Sequence, residues 1–156
     1  MLRQRILISL SLLLLLGGNS FAETSRASVK GPITVTSESL TADNKAHTAL
    51  FETNVVARTP DMSMAADKML IFYREDGGEV TKIEATGNVR LIKESRVITA
   101  QNAIYYADED KVVFTGEPKA IDGDNVVTGT KMTYLIKEDR SRVENSKVLL
   151  KNKRDK

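Results

Sequence analysis

A fourfold internal repeat is the sequence feature that most constrains the fold. The repeated segments begin at Ser37, Ala66, Ala100 and Gly129. The steps between them are 29, 34 and 29 residues. A second landmark, a glycine or a small polar residue, recurs at Thr53, Gly87, Gly116 and Asn145. The second unit is longer because its first turn, the glycine-containing segment 74–78, has additional residues. Such a repeat predicts equivalent structural units that stack against each other.

Each unit has the pattern strand, polar turn, strand, small residue, strand, polar turn. The strand segments are rich in Val, Ile, Thr and Tyr, as at 97–99, 104–106 and 112–115, and these residue types suit a pleated, half-buried surface. Helical periodicity is absent. With strands of roughly 5–6 residues, the sequence predicts an all-β chain of about twelve to sixteen antiparallel strands.

Alternation along a strand assigns one face of each unit to the interior. Equivalent positions form three layers, of which the first contains Leu40, Met69, Ala103 and Met132. The second layer contains Ala42, Ile71, Tyr105 and Tyr134, and the third contains Asn44, Tyr73, Ala107 and Ile136. We add to this interior Ile33, Val35, Phe51, Met62, Met64, Val89, Leu91 and Phe114. The layers predict an apolar strip that runs the length of the molecule.

The first 22 residues have the layout of a cleaved secretory signal peptide. Two arginines precede the apolar run 6–16, and small residues at Ser20 and Ala22 predict cleavage between Ala22 and Glu23. An uncleaved membrane anchor is the alternative, but the run is shorter than the roughly 20 residues of a spanning helix. We expect one domain over 23–150 and a frayed basic tail over 151–156.

Charge and residue types exclude several functions. Of 23 basic and 21 acidic residues, Arg3 and Arg5 lie in the signal, which leaves 21 of each sign and no footprint for nucleic acid. The absence of cysteine excludes thiol chemistry and thiolate metal sites. The single histidine, His47, sits beside a predicted turn and has no placed catalytic partners. We interpret the acidic segments 108–110 and 122–125 as turns. We therefore expect no enzyme, no metal and no cofactor.

Several short segments, taken in order behind the signal, resemble the LptA/OstA-like periplasmic proteins of lipopolysaccharide transport. They are Pro32–Ser37, Phe51–Val55, Ala66–Lys68, Gly87–Val89, Val112–Gly116 and Gly129–Tyr134. Together they extend over nearly all of the chain beyond the signal. The sequence differs from the usual family pattern at two places. Thr53 stands where the family usually has glycine, and Glu117-Pro118 replaces an Asn-Val pair.

The resemblance implies a twisted, incompletely closed antiparallel β-jellyroll. It also implies a periplasmic protein that holds the acyl chains of lipopolysaccharide in an apolar groove and bridges the inner and outer membranes. The groove-lining residues would be Ile33, Val35, Leu40, Phe51, Met64, Met69, Ile71, Tyr73, Leu91, Tyr105, Phe114, Met132, Tyr134 and Ile136. Transport components at both membranes, and further copies of the chain stacked end to end, would pair with the free edges 33–36 and 147–150.

Two alternatives remain at this stage. The chain could be a membrane-tethered subunit of the same export system, which requires an uncleaved N-terminus. It could also be a structural β-repeat protein whose interior is a closed core, because alternation alone does not distinguish a groove from a core. Methionines at 62, 64, 69 and 132 favour an adaptable, ligand-holding interior over that reading.

Overall fold

A computed structural model describes residues 31–76 and 78–151, in which every regular element is a β-strand. The strands are β1 (Thr34–Thr36), β2 (Ser39–Asp43), β3 (Thr48–Arg58), β4 (Ser63–Tyr73), β5 (Val80–Lys93), β6 (Arg96–Tyr106), β7 (Lys111–Thr115), β8 (Lys119–Asp122), β9 (Asn125–Thr128), β10 (Lys131–Leu135), β11 (Arg140–Glu144) and β12 (Lys147–Leu149). The all-β prediction is confirmed, with the twelve strands at the lower end of the expected range. The predicted signal peptide and residues 152–156 lie outside the described residues.

The strands form one antiparallel sheet that folds over into two layers. The long strands β3 to β6 enter both layers, because their pairing register breaks near the middle of each strand. Sheet 1 contains β1, residues 55–58, 63–66, 89–93 and 96–100 of the long strands, then β8, β9 and β12. Sheet 2 contains β2, residues 48–52, 68–73, 80–86 and 102–106, then β7, β10 and β11.

The fold is open at both ends. Sheet 1 ends in β1 and β12, and sheet 2 ends in β2 and β11, each of which pairs with one neighbour only. No pairing joins these edges to each other in the part of the chain that the structure describes. The predicted incompletely closed jellyroll is therefore confirmed.

The line where the chain passes between the sheets, here called the crease, coincides with the second landmark of the repeat. Consecutive residues have positive φ at Thr53 and Asn54 (66° and 54°), at Gly87 and Asn88 (78° and 48°), and at Gly116 and Glu117 (75° and 57°). L-residues reach this region only at a steric cost, so glycine and asparagine are favoured there. The second landmark therefore recurs where the chain bends with positive φ, within β3, within β5 and between β7 and β8, whereas β4 and β6 cross without a positive-φ residue.

Side-chain hydrogen bonds repeat along the crease as well. Three asparagine amides donate across it: Asn54 to Glu38 Oε1 (2.5 Å), Asn88 to Asp67 Oδ2 (2.8 Å) and Asn145 to Thr130 Oγ1 (3.0 Å). Each acceptor directly follows the first landmark of its unit. The repeat in the sequence therefore encodes both the bend and the polar contact that fixes it.

Two rows of side chains cross the molecule on the inner faces. In sheet 2 the row is Leu40, Phe51, Met69, Ala85, Ala103, Phe114, Met132 and Val143. In sheet 1 it is Val35, Ala57, Met64, Leu91, Ile98, Ala120, Val127 and Val148. All sixteen residues are apolar, and the first predicted layer falls in the sheet 2 row. One hydrophobic interior therefore extends from edge to edge.

A Gly116→Ala substitution tests the crease, with Gly123→Ala as its control. Both glycines have positive φ (75° and 58°), so alanine strains the backbone similarly at each position. Only at Gly116 would the added Cβ lie 2.6 Å from Gln101 Cβ, whereas nothing lies within 4 Å at Gly123. We expect Gly116→Ala to lower the free energy of unfolding by about 1–3 kcal/mol more than Gly123→Ala. Equal losses in urea denaturation would contradict the assigned close contact.

Candidate functional site

The centre of the interior is closely packed. Leu91 and Ile98 of sheet 1, and Phe114, Met132 and Tyr134 of sheet 2, have no exposed surface. A gap of only about 30 Å³, lined mainly by apolar side chains, separates the sheets beside Ile33 and Met62. The interior is therefore filled by the protein's own side chains at its centre and is not an open channel from end to end.

The structure places the fourteen predicted groove residues at three degrees of burial. Met64, Met69, Ile71, Leu91, Tyr105, Phe114, Met132 and Tyr134 are buried. Ile33, Val35, Phe51, Tyr73 and Ile136 are half-buried. Leu40 differs from the expectation of an interior position, because it is 57% exposed. Its strand β2 has a neighbour on one side only, so nothing covers its inner face at the open end.

The space between the sheets widens towards β11 and β12. A cavity of about 410 Å³ opens there and is lined by Arg96, Ala120, Asp122, Asn125, Val127, Met132, Asp139, Ser141, Val143, Ser146 and Val148. Short side chains face each other across it, Ala120 and Val127 from sheet 1 and Ser141 from sheet 2, so the sheets leave unfilled volume. This cavity, the C-terminal groove, lies within the size range of small-molecule sites.

One end of the C-terminal groove carries a polar cluster that connects the two sheets. Lys93 Nζ donates to Tyr134 Oη (3.0 Å), and Tyr134 Oη donates to Asp139 Oδ1 (2.7 Å). Arg96 donates to Asp139 Oδ1 (2.9 Å) and to Asp122 Oδ2 (3.3 Å). Lys93, Arg96 and Asp122 belong to sheet 1, whereas Tyr134 belongs to sheet 2 and Asp139 to its β10–β11 turn. The groove therefore has an apolar wall and a charged rim.

The cluster changes the titration of its members. The hydrogen bond from Tyr134, assisted by the charges of Arg96 and Lys93, holds the pKa of Asp139 below its usual value despite partial desolvation. The hydrogen bond to Tyr134 raises the pKa of Lys93, against desolvation. Both residues are therefore charged at neutral pH, and the contact between the sheets is ionic.

Asp110 is a buried acidic residue in a segment that the sequence predicts to be a turn. It does lie in the turn between β6 and β7, but it is only 8% exposed and its Oδ1 has no hydrogen-bond partner. Burial raises the pKa of its carboxyl, although Lys137 and Lys93 act in the opposite direction. Its φ of 46° is the reason an Asx-type residue suits this position.

Sequence reasoning missed the residues that shape the C-terminal groove. Ala120, Val127, Val148 and Val143 were not assigned to the interior, and the bridging role of Asp139 was not predicted. The signal was present for Val127 and Ala120, since each occupies an alternate position in a short strand next to a recognised turn. The pairing of β8 with residues 96–99 of β6, at the end of the second unit, is not readable from local sequence.

His47 lies near the end of β4 and the turn that follows it, away from the C-terminal groove. Its ring lies 6.0 Å from that of Tyr73 in an edge-to-face arrangement, and its Nε2 is 3.9 Å from Glu75 Oε2. Among the described residues, no helix is present that is long and apolar enough to cross a membrane.

The open two-layered jellyroll, with its edge-to-edge apolar interior, defines a class of small all-β proteins. Comparison with known proteins agrees with the resemblance in the sequence. Residues 34–140 match the family described as LptA/(LptD N-terminal domain) LPS transport protein. This match covers more than half of the chain, which therefore belongs to that family of transport proteins.

A solved structure has the same fold. It is described as LptH, the LptA homologous periplasmic component of the lipopolysaccharide transport device from Pseudomonas aeruginosa. The two chains superpose with a TM-score of 0.70 at 14% sequence identity, over 78% of this chain and 96% of LptH. No curated protein matches the sequence.

Asp139→Asn should weaken the contact between the sheets at neutral pH. A carboxylate with a lowered pKa contributes stability above its unfolded pKa, and the contribution is lost as pH falls through the folded pKa. Because the Asp139 side chain is 59% exposed, we expect a loss of at most about 1 kcal/mol at pH 7. At a pH below the lowered folded pKa of Asp139, the variant and the wild type should unfold alike.

The matched control for this prediction is Glu138→Gln in the same turn. Glu138 pairs only with the exposed Arg140 (2.9 Å) and takes no part in the cluster. Thermal unfolding of both variants at the two pH values measures the difference. An equal effect of Glu138→Gln at pH 7 would contradict a specific contribution from Asp139.

Asp110→Asn should have the opposite effect and raise the Tm at neutral pH. A carboxyl whose folded pKa is raised lowers stability as pH rises from its unfolded value through its folded value. Asparagine carries no charge and tolerates the same φ. The gain should therefore be absent below about pH 3.5 and complete above the folded pKa. Asp108→Asn, at an exposed position in the same turn, is the control.

Proposed function

We propose that this chain binds lipopolysaccharide in the periplasm by holding its acyl chains between the two sheets, and that it transfers the lipid towards the outer membrane. The observation that carries the proposal is the edge-to-edge apolar interior, which opens at the C-terminal groove. Family membership supports lipopolysaccharide transport in general. The fourteen predicted interior residues, together with Ala120, Val127 and Val143, are the proposed acyl-chain contacts.

Simple energetics support an enclosed path. Removing one methylene from water is favourable by a free energy of about 0.8 kcal/mol. Exposing one acyl chain of about a dozen carbons to water therefore costs a free energy of roughly 10 kcal/mol. The C-terminal groove offers an apolar wall for such chains and charged groups at its rim for a polar headgroup. Moving the lipid makes and breaks no covalent bond, so we propose neither a catalytic residue nor a cofactor.

The packed centre indicates how a lipid would enter. Along the crease, the continuous backbone of the long strands joins the two sheets. On the opposite side, where the long strands end, the side chains of the polar cluster join them. Acyl chains would enter at the open C-terminal groove and displace side chains further in. The four interior methionines, which adapt their shape readily, suit such displacement.

Photocrosslinking from β9 tests the proposal. Val127 of this strand faces the C-terminal groove. We expect a photoreactive amino acid at Val127 to capture lipopolysaccharide in cells. The control is the same probe at Arg142, an exposed residue on the outer face of sheet 2, which should capture little. Equal capture at Val127 and Arg142, or none at Val127 in a folded protein, would favour a structural core.

The strand count supports end-to-end stacking of copies. Each sheet has eight antiparallel segments, so its two free edges run in opposite directions and would pair antiparallel with the next copy. The edges also match in length, three residues in β1 and β12 and five in β2 and β11. We propose that such pairing joins copies into a bridge and connects it to transport components at either membrane.

Cysteine pairing tests the stacking, since the chain has no cysteine of its own. Val35 and Val148 end the same inner row at opposite edges. Mixed Val35→Cys and Val148→Cys proteins should therefore form a disulfide-linked dimer when oxidised. The control replaces Val35→Cys by Thr34→Cys, whose side chain points to the other face. Equal crosslinking by Thr34→Cys would contradict the register.

The mass of the exported protein separately tests cleavage after Ala22 against a retained anchor.

A further inference from the structure

The outer face of sheet 1 carries a group of basic residues without acidic partners. Four basic residues on this face, Arg58, Arg90, Lys119 and Lys147, are exposed. None of them takes part in an ion pair in the described structure. The only acidic residue in the strands of sheet 1 is Asp122, which points inward and binds Arg96. The face is therefore positively charged without compensation.

The pairing register orders these charges. Arg90, Lys119 and Lys147 fall in one row across the sheet, with a threonine on each strand between them. Strands lie about 4.8 Å apart, so the cations are spaced by roughly 10 Å. An even, linear spacing on a rigid sheet presents the charges to a flat or extended anionic partner.

A row of apolar side chains runs directly beside the cations on the same face. It contains Ile92, Val97, Ile121, Val126 and Leu149 in unbroken register. Ile92 and Leu149 are 36% and 56% exposed, and the others are half-buried. Nothing in the described chain covers this row.

The outer face of sheet 2 lacks this pattern. Its lysines are neutralised by neighbouring carboxylates, as in Lys68 with Glu52 (2.9 Å), Lys82 with Glu84 (2.7 Å) and Lys131 with Glu144 (3.4 Å). The difference between the two faces is therefore a property of sheet 1 and not of the chain's net charge.

We propose that the outer face of sheet 1 docks on the surface of an anionic phospholipid membrane. Basic side chains would meet lipid phosphates, and the adjacent apolar row would reach the boundary of the acyl region, the combination by which peripheral proteins bind membranes. A soluble polyanion satisfies the cations but leaves the apolar row unused. The site is separate from the interior, and its side chains remain outward when the sheet edges pair.

Vesicle binding by the exported protein tests the proposal. The vesicles contain phosphatidylglycerol and phosphatidylethanolamine, without lipopolysaccharide, so that failure of interior lipid binding leaves the result unaffected. We expect binding that weakens with salt and is absent on phosphatidylcholine alone. Arg90→Gln/Lys119→Gln/Lys147→Gln should bind roughly 100-fold more weakly. The control Lys68→Gln/Lys82→Gln/Lys131→Gln has the same net charge and should bind like the wild type.

A fluorescence probe makes the apolar contact testable, because the chain has no tryptophan. Emission of an Ile92→Trp protein should shift to shorter wavelength on anionic vesicles, whereas Leu70→Trp on the outer face of sheet 2 should not respond. Equal weakening by both triple variants would overturn the proposal, as would an unshifted Ile92→Trp. Binding to dextran sulfate but not to the vesicles would also overturn it and would indicate a soluble polyanion as the partner.

Discussion

The fold depends on the bend at which four long strands leave one sheet and enter the other. Without the bend, these strands of eleven to fourteen residues would form a single sheet with both faces exposed to solvent. In β3 and β5, consecutive positive-φ residues at the crease turn the strand, and an asparagine bridge fixes each turn. The bend brings two apolar faces together, and every buried contact in the molecule follows from that.

The interior has two different regions as a consequence. Near the long strands, large side chains such as Phe114 and Leu91 meet and exclude solvent completely. Towards β12 the strands are short and carry small residues, so the sheets stay apart and volume remains between them. A polar cluster then holds this region together where apolar contact is missing. Stability and a space for ligand are therefore provided by separate parts of the same interior.

The repeat made much of this architecture predictable. Alternation from Leu40 or Met69 identified the inner face, because a strand has only two faces and the apolar residues mark one of them. The long-range pairing of β8 with β6 was not predictable, since no local pattern states which strand lies beside a four-residue segment. For the same reason the role of Asp139 in joining the sheets was not predictable. Asp139 lies in the β10–β11 turn, and its partner Arg96 follows the β5–β6 turn, which is distant in sequence. Asp110 shows that a turn residue is not necessarily exposed, because it lies between β6 and β7 and is only 8% exposed.

The even strand number has a consequence for length. Eight strands at about 4.8 Å give each layer a width of roughly 38 Å, and an assembly joined at the sheet edges grows only in whole multiples of this width. The gap between two membranes has no reason to be such a multiple. The proposed assembly would then have to fit the remaining distance by changing the twist of its sheets or by tilting. Its length would therefore change in steps of one chain, with small adjustments from twist and tilt.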